Sequence, residues 1–119
     1  MHWTHIGEYA LDDVVVLALD GQMTLDAEEQ RLREVVDDIL AAGRRRIVLD
    51  LEAVPYVDSL GIGEIVRVYS AVVRAGGALR LAAVTRRVRE VLEATQLAQV
   101  LGVCGTVAEA AASLTSEKP

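Results

Sequence analysis

The segment Tyr56-Val57-Asp58-Ser59-Leu60-Gly61-Ile62-Gly63 gathers a hydroxyl, a carboxylate and two glycines where a loop must turn into a helix. Glycine inside a helix costs about 1 kcal/mol relative to alanine, and no capping rule asks for two of them in the first turn. The spacing therefore predicts a close approach to this backbone. Ser59 reads as the N-cap, its hydroxyl beside N–H groups that have no partner within the helix. A capping hydroxyl at a loop tip is also open to a kinase. A phosphoryl group there would add a charge of about −1.5 to −2 and three acceptor oxygens to a helix end that tolerates anions.

Other chemistry is poorly supplied. Cys104 sits in the apolar run VLGVCG and reads as a buried structural residue, and the two histidines, His2 and His5, both lie near the N-terminus. A Cys/His nucleophilic pair is not expected, and two histidines without a Cys-x-x-Cys make a poor metal site. Gly61-x-Gly63 lacks the third glycine of a dinucleotide fingerprint and opens the wrong helix for one. No G-x-x-x-x-G-K-[ST] is present, and the single lysine, Lys118, is in the tail. Asp20 and Asp58 could supply the carboxylates of a phosphoryl-accepting receiver domain, yet Lys118 is not expected to return to them. Asp12-Asp13 reads as a turn, Asp37-Asp38 as a solvated helix face and Arg86-Arg87 as a solvated basic rim. The expectation is a protein that is not an enzyme and needs no cofactor or metal.

The elements that position Ser59 follow from hydrophobic period. Residues 14–19 (VVVLAL) form a β-branched apolar run ending at Asp20-Gly21, with a weaker stretch at 3–9 ahead of the Asp12-Asp13 pair, which predicts an N-terminal hairpin. Residues 25–42 carry Leu25, Leu32, Val35, Val36, Ile39 and Leu40 at helical spacing, opened by an Asp26/Glu29 capping box and stopped by Gly43. Residues 47–51 (IVLDL) read as a short buried strand. A second helix over 59–75 should bury Ile62, Ile65, Val66, Tyr69, Val72 and Val73 and turn Gly61, Glu64, Arg67, Ala71 and Arg74 outward, ending at Gly76-Gly77. A strand at 78–84 leads to a short helix capped by Thr85, with Val88, Val91 and Leu92 inward. A brief strand near 100–103 precedes an Ala-rich helix opened by the Thr106/Glu109 box.

The predicted order is β-β-α-β-α-β-α-β-α. Alternation of this kind calls for an α/β fold with a mixed, mainly parallel sheet of four to five strands and about four helices. With 119 residues the chain fits one domain over 1–119, with 116–119 a frayed tail.

Composition narrows the partners. A net charge of −6 argues against electrostatic binding of nucleic acid or an anionic membrane, and 3% aromatic residues with no Phe leaves few stacking platforms. The longest stretch without a charged side chain, residues 94–108, is too short and too polar to span a bilayer. The N-terminus lacks the basic and apolar regions of a secretion signal, and one cysteine cannot form an internal disulfide. The default setting is cytoplasmic.

The strand IVLDL, the loop to Val57-Asp58-Ser59, the Gly61-Ile62-Gly63 turn, the Gly76-Gly77 break and the strand that follows resemble the STAS domain of bacterial anti-sigma factor antagonists. The resemblance covers residues 14–114. It implies a regulator of transcription in which Ser59 is the phosphorylated switch. The unmodified form would bind a serine-kinase anti-sigma factor of the histidine-kinase-like ATPase fold and free a sigma factor. The kinase would end the interaction by phosphorylation, and a PP2C-type phosphatase would restore it. By the same resemblance Asp58 positions the serine, while Leu60, Gly61, Ile62 and Gly63 form the docking surface together with Met23 and Thr24 in the loop after the second strand. Two positions depart from the pattern: Leu60 stands where members often carry Ser, Thr or Ala, and Thr24 where the best-known antagonists place an aspartate.

The mechanism also has a purely physical form. A docked hydroxyl is desolvated, so a phosphate added to it leaves an interfacial charge that must find a cation or break the contact. Weakening binding a hundredfold takes only about 2.7 kcal/mol. The alternatives are a STAS-like scaffold that never receives phosphate, and a small-molecule or nucleotide sensor with a pocket at the carboxyl edge of the sheet.

Overall fold

A computed structural model describes residues 5–21 and 31–115. The N-terminal hairpin forms as its apolar runs require: β1 (His5–Leu11) and β2 (Val14–Asp20) pair antiparallel from Leu11↔Val14 to His5↔Asp20 across the Asp12-Asp13 turn. From β2 onward the sheet is parallel, through β3 (Arg46–Ala53), β4 (Ala78–Ala82) and β5 (Val103–Cys104), in the spatial order β1-β2-β3-β4-β5. The helices are α1 (Arg31–Ala41), α2 (Ser59–Arg74), α3 (Arg86–Ala94), α4 (Ala98–Leu101) and α5 (Val107–Thr115).

The central strands are apolar on both faces because both are covered. Val15, Leu17, Leu19, Ile47, Leu49, Leu51, Leu79 and Leu81 join buried residues of α1 to α4 in the larger core. On the other face Val14, Val16, Val48 and Ala82 meet Ala110, Ala111 and Leu114 of α5. The small residues on both sides of that contact let α5 lie close to the sheet.

Helix ends follow the sequence signals. After α1, Gly43 (φ +89°) donates to the Leu40 carbonyl and Arg44 to that of Ile39; after α2, Gly76 (φ +83°) donates to Val73 and Gly77 to Val72. Both are Schellman closures, which need a left-handed residue and find glycine there. The third closure, after α3, places Gln96 at φ +62°, where the sequence offers no glycine. Thr85 caps α3 as expected, its hydroxyl accepting from Val88 N, and Val88 and Leu92 are buried. Thr106 accepts from Glu109 N at 3.0 Å, while the Glu109 carboxylate takes the Gly105 N–H rather than that of Thr106 itself.

Three expectations are corrected. Val73 is 46% exposed, whereas Gly61, Glu64 and Val68 are buried in α2. The reason is that α1 packs against α2 as well as the sheet lying beneath it, so the covered face is wider and rolled relative to a helix judged on its own. Residues 98–101 form a helical turn rather than the start of a strand: Leu101 N–H bonds to the Leu97 carbonyl, and Leu97, Ala98 and Leu101 share one core-facing side. The strand is thereby reduced to Val103–Cys104. Its β4 partner stops at Ala82, since Ala83 turns into the left-handed region at φ +58°. The expected opening of the first helix at Asp26/Glu29 and the tail at 116–119 lie outside the described residues.

Candidate functional site

Parallel strands send every following loop to the same edge of the sheet, and the α2 N-terminus sits among those loops. After β3, Val54 and Val57, both fully buried, pin the loop so that Pro55 is exposed, Tyr56 half-buried and Asp58 delivered to the helix start. Asp58 has extended backbone (φ −91°, ψ −174°), its Oδ1 accepts from Gly61 N at 3.0 Å and its carbonyl accepts from Ile62 N at 2.9 Å. Asp58 is therefore the N-cap. Ser59 is instead the first helical residue, a correction to the sequence reading: an aspartate one position ahead already has the extended conformation and the acceptor that capping needs.

Relieved of that role, the exposed Ser59 hydroxyl makes no hydrogen bond among the described residues. Beside it Leu60 is 49% exposed, a large apolar side chain in water. Gly61 and Ile62 point the other way, Ile62 lying in the main core, and Gly63 is half-buried. A Cβ added at Gly63 would meet only the far end of Arg67, at 3.7 Å. The close approach expected of the glycine pair is not made by this chain at Gly63. One turn further on, Glu64 is 6% exposed; its Oε1 accepts from Arg67 at 3.1 Å, while its Oε2 is buried with no partner among the described residues.

Two more loops join the edge. The Gly21 N–H bonds to the Ala53 carbonyl at 3.1 Å, tying the chain after β2 to the end of β3. Met23 and Thr24 follow shortly after Gly21 but lie outside the described residues. From the loop after β4, the Thr85 hydroxyl reaches the Val54 and Pro55 carbonyls at 3.4 and 3.3 Å, and the Arg87 guanidinium lies over the Tyr56 ring, 4.7 Å from its centroid. Arg86 pairs with Glu90 at 3.4 Å. Sequence reasoning saw Thr85 as a cap and Arg86-Arg87 as a rim, but the bracing of the Ser59 loop by Thr85 and the Tyr56–Arg87 stack depend on β3 and β4 being neighbours. A threonine cap and an arginine following a strand that could pair beside IVLDL were the available signal.

Outside this edge the other candidates are accounted for. Cys104 is half-buried, its Sγ 3.7 Å from the Gly102 carbonyl. Among the described residues no three His, Cys, Asp or Glu side chains gather as a metal site, and no helix is long and apolar enough to cross a membrane. A cavity of about 670 Å³ lies at the opposite edge of the sheet, lined by Asp13, Arg44, Arg45, Arg46 and Gly76 among others. Its arginines are partly engaged: Arg46 pairs with Asp13, and Arg45 donates to the Leu40 carbonyl at the end of α1.

Comparison with known proteins places this arrangement. The STAS domain family matches residues 8–110. A Thermotoga neapolitana protein named as an anti-sigma factor antagonist is 30% identical over 100 residues, 84% of this chain and 88% of its own. The crystal structure of an anti-sigma factor antagonist from Thermotoga maritima superposes with a TM-score of 0.80 at 28% identity, over 92% of this chain and 94% of that one. At 19% identity, the Bacillus cell fate determinant SpoIIAA in its phosphorylated form shares the fold, with a TM-score of 0.69 over 92% and 97% of the two chains.

Proposed function

Because the chain belongs to the STAS domain family, in its group of anti-sigma factor antagonists, we propose that it binds an anti-sigma factor through the edge around Ser59 and is switched off by phosphorylation there. Members of that group are regulatory binding proteins, and this chain acts in the same way, without catalysis. The partner is a serine-kinase anti-sigma factor; binding it frees a sigma factor, and a PP2C-type phosphatase resets the switch. The cycle needs ATP and the transcription machinery and so belongs in the cytoplasm.

The observation that carries this reading is the spare hydroxyl: Asp58 caps α2, leaving Ser59 exposed at the first helical position beside the exposed Leu60. A phosphate there meets the positive end of the α2 dipole, so the fold tolerates it. The adjacent Asp58 carboxylate repels it, which turns the added charge outward toward whatever is docked. Asp58, Ser59, Leu60 and Gly63 then present the contact surface, with Gly61 and Ile62 setting it from beneath. Met23 and Thr24, which lie outside the described residues, are assigned to the same partner contact on the family pattern alone. The fold neighbour solved in phosphorylated form supports the view that this architecture accommodates the modification.

The test is incubation with a purified serine-kinase anti-sigma factor of the histidine-kinase-like ATPase fold, with ATP. Phosphate incorporation that Ser59→Ala abolishes, together with binding weakened about a hundredfold by Ser59→Asp, is expected; that factor corresponds to about 2.7 kcal/mol. Equal binding of the modified and unmodified chains overturns the switch and leaves the phosphate-independent scaffold.

A further inference from the structure

We propose that the chain associates with a second copy of itself by antiparallel pairing of β1 with β1, in the register that sets Tyr9 opposite Tyr9 of the second copy. β1 is an outer strand of the sheet, seven residues long, paired with β2 without a bulge and containing neither proline nor lysine. Proline, lysine and bulges are devices that commonly blunt a sheet edge; the one acidic side chain on β1 is Glu8. Glu8, Tyr9, Ala10 and Leu11 are all exposed, Tyr9 by 46% and Leu11 by 37%. Both apolar side chains stand on one face of the strand, since they pair with Val16 and Val14 of β2.

The backbone and the charges select the register. A two-residue turn closes on a hydrogen-bonded pair, here Leu11↔Val14, so Leu11, Tyr9 and Gly7 direct their N–H and C=O groups at β2. Ile6, Glu8 and Ala10 direct theirs outward, where no other described strand pairs with them. Two-fold antiparallel pairing then has few choices. Centring on Glu8 sets two carboxylates face to face, and centring on Ala10 sets Glu8 against Asp12. Centring on Tyr9 sets Glu8 against Ala10, exchanges hydrogen bonds between those outward-facing residues, and brings the two tyrosines together with each Leu11 diagonal to them. Like charges directly opposite disfavour the Glu8- and Ala10-centred registers. A Gly7-centred register, which sets Glu8 against Ile6, avoids them too but leaves Leu11 outside the overlap. The Tyr9-centred register brings both exposed apolar side chains into the contact and is the one we assign. Each copy carries a charge of −6, which makes the association stronger as salt screens the repulsion.

The test is sedimentation of the full chain from micromolar to millimolar concentration, at low and high salt. A concentration-dependent dimer strengthened by salt is expected. Tyr9→Lys should weaken it at least about tenfold, while Ala10→Lys should tighten it severalfold by creating two Glu8–Lys pairs across the strands. Register is read by oxidation in a Cys104→Ser background: Tyr9→Cys should crosslink rapidly, because a non-hydrogen-bonded pair brings Cα atoms within about 4.5 Å. A chain that is monomeric throughout, crosslinking through Glu8→Cys faster than through Tyr9→Cys, or tightening by Ala10→Glu would each overturn the proposal.

Discussion

Capping of α2 separates the structural role of Asp58 from the chemical role of Ser59, and it can be measured without any partner. Asp58 accepts from Gly61 N at 3.0 Å and sits half-buried at the positive end of a 16-residue helix. Loss of an N-cap acceptor costs about 1 kcal/mol, and loss of a carboxylate at a helix N-terminus about 0.3–1 kcal/mol more. Asp58→Ala should therefore destabilise the chain by about 1–2 kcal/mol. Asp58→Asn keeps the acceptor and should cost less than about 1 kcal/mol. Ser59→Ala removes an exposed hydroxyl with no described partner and should change stability by less than about 0.5 kcal/mol. Urea denaturation followed by circular dichroism, with the slope m unchanged across the series, reads these differences directly. In thermal unfolding each kcal/mol corresponds to about 4 °C for a domain of this size. If Ser59→Ala costs as much as Asp58→Ala, or if Asp58→Asn is as damaging as Asp58→Ala, then the cap is misassigned and the hydroxyl is not spare.

The other expectations are structural. At Gly77 an added Cβ would lie 2.3 Å from the Arg45 carbonyl oxygen, which also accepts from Ala78 N, so Gly77→Ala should cost about 2–4 kcal/mol in denaturant titration, whereas Gly76→Ala, strained at φ +83° but unobstructed, should cost about 1–2 kcal/mol. Gln96→Gly relieves a left-handed residue at the end of α3 and should raise stability by about 0.5–1 kcal/mol, measured by the same titration. Glu64→Met removes a buried oxygen that has no partner among the described residues and leaves Arg67, whose side chain is 60% exposed, in water; calorimetry should show a gain of about 1–3 kcal/mol, and a loss would mean that Oε2 is satisfied. Thr85→Ala removes both the α3 cap and the bond to the Ser59 loop, so about 1–2 kcal/mol should be lost, with faster amide exchange at residues 54–58 as the distinguishing sign.

Much of this molecule is set by local rules. VVVLAL and IVLDL can only be buried strands, Gly43 and Gly76 supply the left-handed residues that two helix ends require, and Thr85 and Thr106 cap the helices they precede. The same run of residues placed Ser59 at the mouth of α2, within one position. Tertiary structure decided the rest. Whether Asp58 or Ser59 caps α2 depends on where the buried Val54 and Val57 hold the loop, which no neighbouring residue specifies. The outward Val73 and inward Glu64 follow from α1 lying against α2, a packing that helical periodicity cannot see. The Tyr56–Arg87 stack and the Thr85 brace exist because β3 and β4 are neighbours, bringing together residues about thirty positions apart. Local propensity acts over a few residues, so it could write each element and its ends; which faces meet, and therefore which hydroxyl is left free, is fixed only when the elements compete for the same core.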